Sequence, residues 1–205
     1  MHICIGDYLL DIVQNSFEAG SSLVELTFSE NETTLFCVVR DNGKGMDAAT
    51  QKKVLDPFYS DGEKHKKRKV GLGLPFLNQA CEACEGTFCL KSEVGKGTTV
   101  SFSFNLNHID APPMGDVASS FLVLLSHPLC KELIIERSLA TKKGKETYTL
   151  KKSELESVLG PMHTSGILNL LRQYLASQEE ELEQYREATH LDMHRGMAPF
   201  KQQEM

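Results

Sequence analysis

The sequence lacks any long apolar run. Its longest, Phe121-Leu122-Val123-Leu124-Leu125, falls far short of the ~20 residues a membrane-crossing helix needs. The N-terminus has no basic segment followed by an apolar stretch, so no secretory signal is expected. Basic residues are the minority: 22 Lys and Arg against 28 Asp and Glu give a formal charge of −6 and a pI near 5.7. That balance argues against a dedicated nucleic-acid surface, where a basic stripe must release counterions from phosphates. The six cysteines, with no secretory signal, imply reduced thiols in a cytoplasm. Cys81 and Cys84 form a C-x-x-C with Cys89 shortly after, but a metal site needs four converging ligands and the sequence offers none. Buried, inert thiols on a core-facing helix are expected instead. No internal repeat is present.

What is there is the composition of a globular protein, 40% hydrophobic and 24% charged in 205 residues, enough for one ordinary domain and a smaller second unit. Residues 7–19 read as a helix: Leu9, Ile12, Val13, Ser16 and Phe17 form an apolar stripe, and Asp11 and Asn15 fall on another face. Gly20 is a natural C-terminal cap. Two strands are expected over 23–28 and 34–40, a glycine-rich loop over 41–46, and a short helix over 48–55. A polar, basic loop covers 56–69. A helix over 74–85 follows, with Pro75 in its first turn, and strands over 87–91 and 98–105 come next.

Residues 1–107 thus read as one domain, 108–116 with Pro112-Pro113 as a linker, 117–184 as a small α+β unit and 185–205 as a polar, frayed tail. The small unit is expected to hold a helix or buried strand over 117–125 and a hairpin made of 131–137 and 146–151. A short helix behind a capping box of Ser153 and Glu156 would follow, then a second helix over 167–183.

Four elements carry chemistry, and their order matters more than any one of them. Asp11 and Asn15, at i and i+4, point to the same spot; a carboxylate beside a carboxamide can hold a hard cation and orient a water. Such a pair is also the ordinary pattern of a solvated helix face. Asp41, ending a strand before Asn42-Gly43-Lys44-Gly45-Met46, can accept a hydrogen bond from the exocyclic amine of adenine, and the glycines let backbone pass close to a flat base. An ordinary turn would look the same. Gly71-Leu72-Gly73-Leu74 before a helix leaves N–H groups beside the positive end of the dipole, ready for phosphates. It is neither a P-loop nor a dinucleotide fingerprint. Gly97-Thr98 opens the last strand of this part, where the Thr98 hydroxyl could reach a base or Asp41.

In order and approximate spacing, Asp11…Asn15, Asp41-x-Gly43-x-Gly45, Phe58, Gly71-x-Gly73 and Gly97-Thr98 resemble the N, G1, F, G2 and final-threonine boxes of the GHKL superfamily. Gyrase-type topoisomerases, the ninety-kilodalton heat-shock chaperone, histidine kinases and MutL proteins belong to it. The resemblance covers about residues 5–105. It implies a Bergerat-type α/β sandwich, a mixed, mostly antiparallel sheet with helices on one face, binding ATP and Mg²⁺ under a lid. Asp11 would be the catalytic base and Asn15 the magnesium ligand. Asp41, Gly43, Gly45, Met46, Phe58, Lys69, Gly71, Leu72, Gly73, Leu74 and Thr98 would surround the nucleotide. The N-box region is similar to the MutL version and the region from Asp56 to Leu77 to histidine kinases. The ensemble looks like compact stand-alone ATP-binding proteins found near iron-only hydrogenase genes in anaerobic bacteria.

The run Lys64-His65-Lys66-Lys67-Arg68-Lys69 is a solvated loop or, by its place in the family pattern, a phosphate-contacting lid, with Lys69 the first candidate. A histidine kinase carries its phospho-acceptor on a helical hairpin ahead of this domain; too few residues precede Asp11 here for one, so a self-contained histidine kinase is not expected. The family resemblance implies that a carboxylate four residues before Asn15 goes with hydrolysing relatives and anti-sigma serine kinases. Three readings stand: slow ATP hydrolysis driving a switch read by a protein partner through residues 108–180, a kinase acting on a separate protein, and a nucleotide sensor without turnover. A homodimer is compatible with all three.

Overall fold

The computed structural model describes residues 4–56 and 73–195. Helix α1 (Ile5–Glu18) forms because Leu9, Ile12, Val13 and Phe17 recur at helical spacing and are all buried. Asp7 in its first turn accepts the Cys4 N–H at 3.1 Å, and Gly20 follows its end at φ +79°. Strands β1 (Val24–Glu30) and β2 (Thr34–Asp41) pair antiparallel, joined by a turn in which Asn31 Oδ1 accepts the Thr33 and Thr34 N–H groups. Then come α2 (Ala48–Val54), α3 (Gly73–Ala83), β3 (Thr87–Glu93) and β4 (Gly97–Asn105). Their ends lie within a few residues of those read from the sequence. Cys81 and Cys84 are wholly buried, and burial first, then the neighbouring Cys84, pushes the Cys81 thiol up to about 12.

The rest of the chain is α4 (Val117–Leu125), β5 (Leu133–Thr141), β6 (Gly144–Lys151), α5 (Lys152–Leu159) and α6 (Ser165–Arg195). The expected hairpin of the small α+β unit does not build a sheet of its own. β5 lies parallel to β1, Val24 opposite Leu133, and the sheet runs β3-β4-β2-β1-β5-β6 with every other pair antiparallel. The physical reason is edge burial: Leu26 and Phe28 of β1 need cover, and an unpaired β1 would leave its backbone groups unsatisfied.

One face is apolar, with Val24, Leu26 and Phe28, Leu35, Cys37 and Val39, Val100, Phe102 and Phe104, then Leu133 and Ile135 all buried. Against it pack α1, α4 and α6, with α3 over β3 and β4. Phe28 meets Phe121 of α4 edge-on at 5.9 Å. The opposite face alternates to Thr27, Ser29, Ser101 and Ser103 at least partly exposed.

Three local expectations are corrected. The Ser153–Glu156 capping box is not made: α5 begins one residue earlier, and the Ser153 N–H donates instead to Glu132 Oε1 at 3.2 Å. Helix α6 does not stop at 183; good helix formers carry it to Arg195, and Leu182 and Arg186 anchor its second half on the core. The proline stretch expected as a linker is pinned to α1, whose Ile5 and Gly6 N–H groups donate to the Pro113 and Met114 carbonyls at 2.8 and 3.2 Å.

Candidate functional site

The site is built at the end of the sheet where β2 finishes. Asp41 is its last residue and is only 6% exposed, so its carboxylate must be hydrogen-bonded. Oδ1 accepts the Gly43 N–H at 2.8 Å and the Thr98 N–H at 3.3 Å; Oδ2 accepts the Ser16 hydroxyl at 2.9 Å. All three donors are neutral. Among the described residues no lysine or arginine forms an ion pair with Asp41.

Helix α1 crosses beside this acid. Asp11 is half-buried and Asn15 exposed, one turn apart on the same face. Gly73 opens α3 against Asp11: a Cβ on Gly73 would sit 1.5 Å from Asp11 Oδ2, so a larger residue there would have to displace the carboxylate. The first and third sequence elements therefore meet, and Ser16 joins the first to the second. The glycine loop fits by the same logic, since Gly45 sits at φ +63° with its missing Cβ aimed at the Glu93 carbonyl, 1.9 Å away.

Asp11, Asn15, Asp41, Gly43 and Gly73 line this end of the molecule. Met46 and Thr98 belong to its wall, and Leu74 is half-buried against the core in the first turn of α3. Phe58, Lys69, Gly71 and Leu72, with the basic run, lie outside the described residues. Thr98 reaches Asp41 through its backbone N–H, while its hydroxyl lies 2.9 Å from Ser92 Oγ, because the strand start turns the side chain toward β3.

Sequence reading placed Ser16 in the apolar stripe and passed over Ser92 and Gln51. The signal for Ser16 was a hydroxyl in an otherwise apolar row, since a buried hydroxyl needs a partner. Ser92 lies one residue past the strand end read from sequence, and Gln51 sits on a short helix with no buried residue, so neither left a pattern.

The oxygen donors of Asp11 and Asn15 suit a hard divalent cation, and the exposed Asn15 carboxamide is accessible to one. The arrangement offers an acid suited to a base amine, a metal-capable pair of side chains, and the start of helix α3 beside them.

The family described as histidine kinase-, DNA gyrase B- and HSP90-like ATPase matches residues 5–108, half of the chain, and the chain belongs to it. Its first half is thus a GHKL-type, ATP-binding domain related to histidine-kinase catalytic domains. The chain is similar to a heme sensor protein, HssS, of Staphylococcus saprophyticus, 30% identical over 104 residues that make up 51% of this chain and 22% of that protein. It is similar to sporulation kinase B of Bacillus subtilis, 31% identical over 96 residues, 45% of this chain and 22% of that one. The chain thus spans about a fifth of the length of these relatives. Among solved structures, the N-terminal domain of a DNA repair protein superposes with a TM-score of 0.46 at 14% identity, over 80% of this chain and 58% of that one. Among the described residues no helix is long and apolar enough to cross a membrane.

Proposed function

We propose that this protein binds ATP with magnesium at the β2 end of the sheet and hydrolyses it slowly. The segment between α2 and α3 would close over the nucleotide, a change read by a protein partner through residues 108–180. The observation that carries this reading is the contact of the Asp11 carboxylate with the Gly73 backbone, beside an Asp41 that accepts from three neutral donors among the described residues. Asp41 accepts the exocyclic amine of adenine, where guanine presents a carbonyl. Asn15 would hold the magnesium, which would supply charge neutralisation on the phosphate oxygens. Asp11 takes one proton from a water as that oxygen bonds to the γ-phosphorus and the bond to the ADP oxygen breaks. A well-placed base contributes roughly 10²–10⁴-fold. Aspartate is one methylene shorter than glutamate, which makes a slow enzyme the expected outcome.

A second reading is phosphoryl transfer to a separate protein, favoured by the similarity to a protein named as a sporulation kinase. Supplying γ-labelled ATP separates the two: free phosphate from the protein alone marks hydrolysis, whereas label on a partner marks a kinase. Asp11→Asn should bind ATP and release little phosphate. Full phosphate release by that variant would remove Asp11 as the base.

A further inference from the structure

The loop after Asp41 ends at Met46, and both backbone polar groups of Met46 are held by side chains from elsewhere. Its N–H donates to Ser92 Oγ at 2.8 Å, and its carbonyl accepts Gln51 Nε2 at 3.1 Å. The same Gln51 nitrogen donates to the Ser92 carbonyl at 2.9 Å. Ser92 Oγ lies 3.0 Å from the Gly97 carbonyl and 2.9 Å from Thr98 Oγ1. Thr98 in turn gives its N–H to Asp41. A continuous polar chain therefore runs from Gln51 through Met46, Ser92 and Thr98 to the buried acid.

The chemistry of Gln51 is specific. Both its partners are carbonyl oxygens, which cannot donate, so the NH₂ end of the amide must face them. Packing does not explain its placement, because none of the residues of α2 is buried. Asp47 caps this helix by accepting the Thr50 N–H at 2.7 Å, and the Gln51 amide forms a hydrogen-bonded tie between α2 and β3.

We infer that Gln51 and Ser92 are positioning residues for nucleotide recognition: they hold the Met46 backbone and the Thr98 N–H in register with Asp41. This rests on the reading of Asp41 as the adenine-binding acid. Gln51→Leu removes both donated bonds and should raise KM and Kd for ATP about tenfold with kcat unchanged. Gln51→Lys restores a donor and should recover most of the affinity. Gln51→Glu sets a carboxylate against two carbonyls; relative to wild type at the same pH, it should bind worst near pH 8 and improve as pH falls and the carboxyl regains a proton to donate. A merely structural residue would show no such recovery.

Amide exchange without nucleotide gives an independent arm. Gln51→Leu should speed exchange at residues 44–47 and leave the core of β1 and β2 protected. Unchanged exchange there, or wild-type affinity in both Gln51→Leu and Gln51→Glu, would overturn the inference. A wild-type protein that binds no adenine nucleotide would instead remove the reading beneath it, while the exchange result would still report whether the tie orders the loop.

Discussion

Two buried acids close neighbouring strands of this sheet, and the contrast between them separates function from scaffold. Asp41 ends β2 and Glu30 ends β1; the strands are antiparallel, so the two stand at opposite ends, both facing the helices and 6% and 3% exposed. Glu30 is answered by cations. Arg137 reaches Oε2 at 2.8 Å and Arg186 reaches Oε1 at 2.7 Å, while Arg137 also bonds Glu179 at 3.3 Å and stacks over Phe28 at 5.0 Å. The Tyr148 hydroxyl donates to Glu179, and burial with that carboxylate's charge pushes the phenol well above its ordinary range. Among the described residues Asp41 has only neutral donors, and its Oδ2 receives one hydrogen bond where it could accept two. Glu30 is occupied on both oxygens and pins α6 to the sheet; Asp41, among the described residues, keeps an acceptor position open.

The largest expected effect breaks the Glu30 side. Arg137→Met strips Glu30 Oε2 and Glu179 of the guanidinium they share, leaving Glu30 with Arg186 alone, and should cost up to about 3–5 kcal/mol in denaturant unfolding, while nucleotide affinity per folded molecule stays unchanged. Next comes the Asp41 side with the opposite signature. Asp41→Asn should weaken ATP binding by roughly ten- to a hundredfold, as expected for a hydrogen bond to a charged group, and cost far less in stability than Arg137→Met. Ser16→Ala removes one donor from Asp41 and should weaken ATP by about fivefold, in proportion to a hydrogen bond of about 1 kcal/mol, as read by calorimetry.

The smallest effect lies away from both acids. Asp116 caps α4, and the Ser119 hydroxyl first, then its N–H, holds the carboxyl below its usual range. A depressed carboxyl contributes stability above its unfolded value of about 3.9 and loses it as pH falls through the lower folded value. Asp116→Ala should therefore be less stable than wild type by about 0.5–1 kcal/mol at pH 7, with the gap closing in acid below about pH 4.

The order of helices and strands over the first half was legible because burial imposes a period of two or 3.6 on the apolar residues, as in Val24, Leu26 and Phe28 or Leu9, Ile12 and Val13. That Asp11 approaches Gly73 while Ser16 of the same helix reaches Asp41 was legible only through the order of the elements and its resemblance to the GHKL pattern, since each alone looks like an ordinary helix face or turn. The joining of β5 to β1 was not. A parallel pairing between residues more than a hundred positions apart leaves no local signature, and Glu30 fell outside the strand read over 23–28 because its two arginine partners lie far along the chain. Helix α6 was read as ending at 183 because the residues beyond it are polar and suggest a tail, although polarity alone does not end a helix. Ser92 and Gln51 act on backbone groups, and nothing in the spacing of side chains records which backbone groups need partners.

Titration of the wild-type protein with ATP and GTP, each with magnesium, beside Asp41→Asn tests the central claim most directly. Saturable ATP binding is expected, with GTP roughly tenfold weaker or worse and that preference lost in the variant. Equal affinity for the two nucleotides in the wild type, or no heat with either, would contradict an acid at the β2 end that reads adenine.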